Sequence, residues 1–154
     1  MIVARTILTV PAPVLRQVCD PVEVFDGRLG ELAVDMLQTM HAASGRGLAA
    51  PQVGETLRLF VMDTGWKAGT PRPVVCVNPQ IVAASEQTAV HEERCLSIPD
   101  TPCRLARPVR VDLRWQTLAG TWKEARVEGA DAVCVQHEID HLDGILCTDR
   151  AEAA

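Results

Sequence analysis

Apolar positions along the chain follow two distinct periods. Leu29, Leu32, Ala33, Met36, Leu37 and Met40 recur three and four residues apart. That period predicts an amphipathic helix over about 27–43, with Asp26 as its N-cap and Gly45 as its stop. Val109, Val111 and Leu113 instead alternate with Arg110, Asp112 and Arg114, which is the period of a half-buried strand. Ala119-Gly120 predicts a turn from there into a paired strand over 121–127. Shorter runs over 57–62, 74–77, about 80–84 and about 88–92 read as further strands. A last helix is predicted over 130–142, opened by Gly129 and closed by Asp143-Gly144. Ala130, Val133, Cys134, His137 and His141 share one face of it, so an apolar stripe leads into two histidines. The segments 64–73 and 99–108 are rich in Pro and Gly and are expected as surface connections. Strands followed by a single buried helix predict an α+β fold, with mixed or antiparallel sheets around that helix.

Composition narrows this picture modestly. A length of 154 residues suits one domain, 1–154, with one core. Apolar residues are 47% and charged residues 23%, as in ordinary soluble proteins. A net charge of −5 argues against direct reading of nucleic acid, which needs a basic face. Docking on a nucleoprotein through a local basic patch stays open. Arg104, Arg107, Arg110 and Arg114 lie close together, but a solvated strand face accounts for them equally well. Arg5, Pro11 and Pro13 interrupt the apolar start, so no secretory leader is expected. No apolar run approaches the ~20 residues of a membrane span. The six cysteines, Cys19, Cys76, Cys95, Cys103, Cys134 and Cys147, are then expected as reduced thiols in a cytosol, with one available to bind metal.

The chemistry is concentrated in His137-Glu138-Ile139-Asp140-His141. Residues four apart on a helix lie on one face, so His137 and His141 can hold one metal ion. Glu138, one step round, can then move a proton on a water whose pKa the metal lowers toward ~7. The stretch predicts hydrolysis of a carbonyl compound. Two histidines leave a tetrahedral ion short of a protein ligand. Cys, His, Asp and Glu elsewhere are all candidates, and Cys95 stands out at the end of a predicted strand. The other cysteines sit where a small buried hydrophobe is the expected role. A third segment, Gly45-Arg46-Gly47-Leu48-Ala49-Ala50-Pro51-Gln52, has small residues that let another backbone approach closely. A helix cap followed by a tight connection explains it too.

Together the three segments resemble the signature motifs of the peptide deformylase family: G-φ-G-φ-A-A-x-Q at 45–52, E-G-C-L-S at 93–97 and Q-H-E-x-D-H at 136–141. Flanking residues are similar as well, including Ile7-Leu8, Asp35-Met36, Thr39-Met40, Gly54, Asn78-Pro79 and 142–146. The likeness runs from about residue 6 to 150. It implies that Cys95, His137 and His141 bind a divalent metal, often Fe²⁺ in the cell, with Zn²⁺, Ni²⁺ or Co²⁺ as replacements. It implies Glu138 as general acid and base. It also implies the Gln52 amide and the Leu96 backbone N–H as oxyanion donors. The substrate would be an N-formylated nascent peptide laid along 45–47 like an added strand. Gly45, Arg46, Gly47, His91, Arg94, Val133 and Cys134 would contact it. A transient ribosome contact and a bacterial cytoplasmic location follow from that substrate.

Three residues depart from the family pattern. Arg46 and His91 stand at positions that are usually apolar, and Arg94 replaces the Gly of the second motif. Either these side chains snorkel to solvent and leave the pocket intact, or they shift preference toward acidic or small N-formyl compounds. Arg94 also raises the question of whether that backbone position tolerates a side chain. With a short stretch after His141, the long C-terminal helix of many members is not expected. Besides a deformylase of nascent chains, three readings stand open: an amidase for another N-formyl compound, an inactive metal-binding relative working through a partner, and a general HExxH peptidase.

Overall fold

The Asp26 carboxylate accepts hydrogen bonds from the backbone N–H groups of Arg28 and Leu29, and so caps helix α1, Gly27–Ala42. The computed structural model describes residues 4–151. Its strands are β1 (Gly47–Ala49), β2 (Leu59–Met62), β3 (Val74–Ala84), β4 (Thr88–Cys95), β5 (Ile98–Pro108), β6 (Arg110–Gln116) and β7 (Trp122–Glu128). Helix α2 spans Gly129–Leu142, and a single turn, α3, spans Cys147–Arg150. β1, β2, β3, β6 and β7 form one antiparallel sheet in that order, while β4 and β5 form a separate two-stranded ribbon. This is the α+β arrangement that the chain pattern predicts.

β2 explains how the main sheet is covered. All four of its residues are buried, because each face of the sheet carries a helix. Leu59 and Val61 pack with Leu32, Met36 and Met40 of α1. Phe60 and Met62 pack with Ala132, Val135, Ile139 and Leu142 of α2. Each such side chain contributes about 1.5–3 kcal/mol on burial, so the helix that carries the two histidines is anchored from below. A third apolar cluster, including Leu15, Cys95, Ile98, Cys103, Leu105 and Leu146, underlies the ribbon. The N-terminal segment ties the two parts together: Leu8 N–H donates to Gln52 O and Val10 N–H to Ser97 O.

Two sequence-based expectations are corrected. The runs 74–77 and 80–84 are one strand, β3, interrupted by a register shift between Val77 and Gln80. Asn78 sits there at φ 49. Its side chain accepts from Val22 N–H and donates to Val22 O and Gln116 Oε1, which stabilises the bulge. The segment 99–108, expected as a surface connection, lies wholly within β5. Its prolines are tolerated because β5 pairs with β4 alone, so backbone groups on its other edge have no ladder to complete. Cys103, Leu105 and Arg107 turn inward on alternate positions. The six cysteines are free thiols. Among the described residues no helix is long and apolar enough to cross a membrane.

Gly144 closes α2 at φ 73, where a Cβ would lie 2.5 Å from the Arg16 carbonyl oxygen. Gly144→Ala is expected to lower the unfolding free energy by about 1–3 kcal/mol, read as a lower urea midpoint. An unchanged midpoint would contradict this packing of the helix exit.

Candidate metal centre and cleft

Helix α2 brings His137 and His141 to one face, with ring centroids 5.0 Å apart. Cys95, the last residue of β4, faces them. Its Sγ lies 3.4 Å from His141 Nε2, and the ligand atoms of Cys95, His137 and His141 all lie within 4.8 Å of one another. All three residues are buried. Burial, helped by the nearby His137 and Arg107 charges, lowers His141 to about 3 and keeps the ring neutral, as a ligand must be. Burial also opposes charge on His137, but Glu138, Cys95 and Glu93 outweigh it and raise that ring well above its ordinary value. The surplus of negative partners is what a divalent cation would balance. A thiol with two imidazoles suits Fe²⁺, Zn²⁺, Ni²⁺ or Co²⁺, so these donors fit a metal.

His137 is held by a buried ion cluster that sequence alone did not reveal. His137 Nδ1–H donates to Glu93 Oε1 at 2.8 Å, leaving Nε2 for a metal. Arg107 grips the same carboxylate with two hydrogen bonds, at 2.5 and 2.9 Å. Its third donor reaches Asp140 Oδ2 at 3.0 Å, and Arg150 also donates to Asp140. Burial works against the Glu93 charge, yet the bonds from His137 and Arg107 hold its carboxyl below the usual range. Arg107 is therefore no part of a solvated strand face. Its phase with Cys103 and Leu105 was the signal, since a cation on an inward strand position requires a buried anion.

Glu138 is 4% exposed, and burial raises its carboxyl to about 7. Among the described residues its Oε1 has no hydrogen-bond partner. β1 runs directly beside it: a Cβ on Gly47 would lie 2.6 Å from Glu138 Oε2 and 2.8 Å from Cys134 Sγ. Gly45 is similarly close to Leu96. Gln52 is fixed at both ends. Its Oε1 accepts from Ala49 N–H at 2.9 Å, which turns Nε2 toward Ser97 Oγ at 3.0 Å and Cys95 Sγ at 3.8 Å. Ser97, also missed from sequence, thus orients the amide. Leu96 is the first residue of the two-residue turn between β4 and β5.

A cleft of about 610 Å³ opens over these groups. Gly45, Gly47, Val133 and Cys134 form part of its lining, and Arg46, His91 and Arg94 stand along it as well. These last three are exposed. The Arg94 side chain is 78% exposed and pairs with Glu92 at 3.3 Å. Arg94 is absent from the residues with positive φ, so its backbone position accepts a side chain. Of the site residues singled out from sequence, all but the fully buried His141 line this cleft, and His141 lies behind it against Cys95.

A helical His-Glu-x-x-His face, a strand thiol and a buried carboxyl beside an open cleft define a hydrolase built around one metal site. Comparison with known proteins gives the family. Residues 4–154 match the family model for polypeptide deformylase. The chain is 48% identical to a peptide deformylase from Phenylobacterium zucineum, over 94% of this chain and 86% of that one. The crystal structure of peptide deformylase from Thermotoga maritima superposes with a TM-score of 0.93 at 39% identity, covering 98% of this chain and 99% of the other. A Met-Ala-Ser-bound crystal structure of class I type b peptide deformylase from Acinetobacter baumannii gives 0.91 at 33% identity, covering 97% and 99%. The chain belongs to the polypeptide deformylase family. It is accordingly a hydrolase acting on a linear amide.

The Gly47 contact yields a direct test. In Gly47→Ala the least costly relief is rotation of the Glu138 side chain. Turnover is expected to fall by about 10²-fold while the metal content after dialysis stays unchanged. Full activity in Gly47→Ala would contradict the close approach of β1 to Glu138.

Proposed function

We propose that this chain removes the formyl group from N-terminal formylmethionine of nascent polypeptides, releasing formate. The observation that carries this reading is convergence: a buried Glu138 carboxyl and an oriented Gln52 amide meet at the Cys95, His137 and His141 donors, beside the edge strand β1. When bound there, a divalent metal supplies a Lewis acid and water of lowered pKa. Fe²⁺ is the expected cellular ion, with Zn²⁺, Ni²⁺ or Co²⁺ as substitutes.

The chain's own residues divide the remaining work. The peptide adds to the outer edge of β1, held by backbone bonds with little sequence demand. Gly45 and Gly47 leave room for it, and Val133, Cys134 and His91 border the methionine side chain. Gln52 Nε2 and the Leu96 N–H donate to the formyl oxygen as it gains negative charge. Glu138 takes a proton from the attacking water and delivers it to the departing amine. Its raised pKa suits both halves of that task. Water adds at the formyl carbon, the C–N bond breaks, and formate and a free amine result. The reading treats 1–154 as one catalytic domain in a bacterial cytoplasm, meeting its substrate through a transient ribosome contact, without a membrane or direct nucleic-acid reading. Arg46 and Arg94 along the cleft favour one second reading, an amidase for a different N-formyl compound.

The test is formate release from formyl-Met-Ala-Ser by anaerobically purified protein in Fe²⁺ and Ni²⁺ forms. Rapid release is expected, reduced at least about 10²-fold in Glu138→Gln with the metal retained. A metal-loaded protein that releases no formate would overturn the reading.

A further inference from the structure

The wall of the cleft on the β1 side carries two cations without anionic partners. Arg46 lies between Gly45 and Gly47 and is exposed. Lys67 belongs to the 3₁₀ turn Trp66–Ala68. That turn is fastened to the strand: Trp66 Nε1–H donates to the Gly45 carbonyl at 2.9 Å, and the Trp66 ring meets His41 edge-on. Lys67 Nζ stands 5.7 Å from the centroid of the Trp66 ring. Both cations line the cleft. Among the described residues neither makes a salt bridge, whereas Arg94, across the cleft, is already paired with Glu92. In a chain of net charge −5, unpaired positive charge is thus gathered beside the one edge where a peptide would lie.

An exposed cation with no partner of its own has no internal ion pair to break before it meets a ligand, so only desolvation and side-chain ordering oppose the contact. It attracts an anion that passes within the screening distance, about 8–10 Å at ordinary salt. A peptide seated on the β1 edge would run along the cleft lining to which Arg46 and Lys67 belong. A guanidinium beside an ammonium suits a carboxylate.

We propose that Arg46 and Lys67 make this enzyme selective for N-formyl peptides with Asp or Glu at the second or third position. The inference rests on the deformylase reading and deepens it. It assigns Arg46 a gain of specificity in place of the apolar contact that the motif usually supplies, and gives a role to Lys67 and its Trp66 anchor in a segment expected to be a simple connection.

The test compares kcat/KM across formyl-Met-X-Ser and formyl-Met-Ala-X peptides, with X as Asp, Glu, Ala, Gln, Lys or Arg, at low and high salt. Exposed pairs are each worth a few-fold, so acidic peptides are expected to exceed neutral ones by about three- to tenfold and basic ones by more. The ratio, rather than the absolute rate, is the readout. It is expected to shrink at 0.5 M salt and to collapse toward one in Arg46→Gln/Lys67→Gln, while Arg94→Gln keeps it. A flat series with good turnover of formyl-Met-Ala-Ser overturns this inference alone. An acidic preference that survives the double substitution also overturns it. No turnover of any peptide overturns the deformylase reading and this inference with it.

Discussion

The grip of Arg107 on Glu93 is the constraint on which the site depends. Two ionised groups, each about one-twentieth exposed or less, are costly to remove from water unless each finds its partners. Here one guanidinium meets two carboxylates, Glu93 and Asp140, and the first of these also holds His137. The cluster therefore joins three elements, β4, β5 and α2, through a single cation. A registry error in either strand would strand a charge in the interior. That penalty selects the one alignment that also brings Cys95 beside His141.

Preorganisation follows from this arrangement. His137 presents Nε2 because its other nitrogen is committed to Glu93. Gln52 presents its amide because Ala49 and Ser97 have fixed both ends. Glu138 stays close to a metal position because β1, without a side chain at Gly47, runs against it. Only the third of these contacts is with a surface that a substrate would share. The rest is locked before any peptide arrives, as oxyanion stabilisation in a dry site requires. The mouth of the cleft is different: Arg46, His91 and Arg94 are exposed.

Much of this was legible in the sequence because periodicity reports burial. The α1 stripe, the alternation over 109–114 and the His137/His141 spacing each encode a face directly. β5 was not legible, because Pro99, Pro102 and Pro108 read as breakers. Pairing on one side alone makes them harmless, and pairing is a tertiary fact. The bulge at Asn78 was hidden for the same reason, since its side chain is satisfied by Val22 and Gln116, far away in sequence. Among site residues, His137, His141 and Glu138 carry their chemistry in their spacing, whereas Cys95 stands out by position and becomes a ligand through the family resemblance. Arg107 and Ser97 do neither; they matter through what they touch, and a one-dimensional reading grouped Arg107 with its solvated neighbours.

Arg107 positions His137 for a metal through Glu93. The direct measurement is metal affinity of Arg107→Met, by competition with a chelator, alongside its urea midpoint. Removing the cation while keeping the bulk leaves Glu93 with His137 alone and Asp140 with Arg150 alone, so stability should fall by about 3–5 kcal/mol. Whatever folded protein remains should bind metal about 10–100-fold more weakly. Wild-type affinity in a stably folded Arg107→Met would contradict the central role given to this cluster.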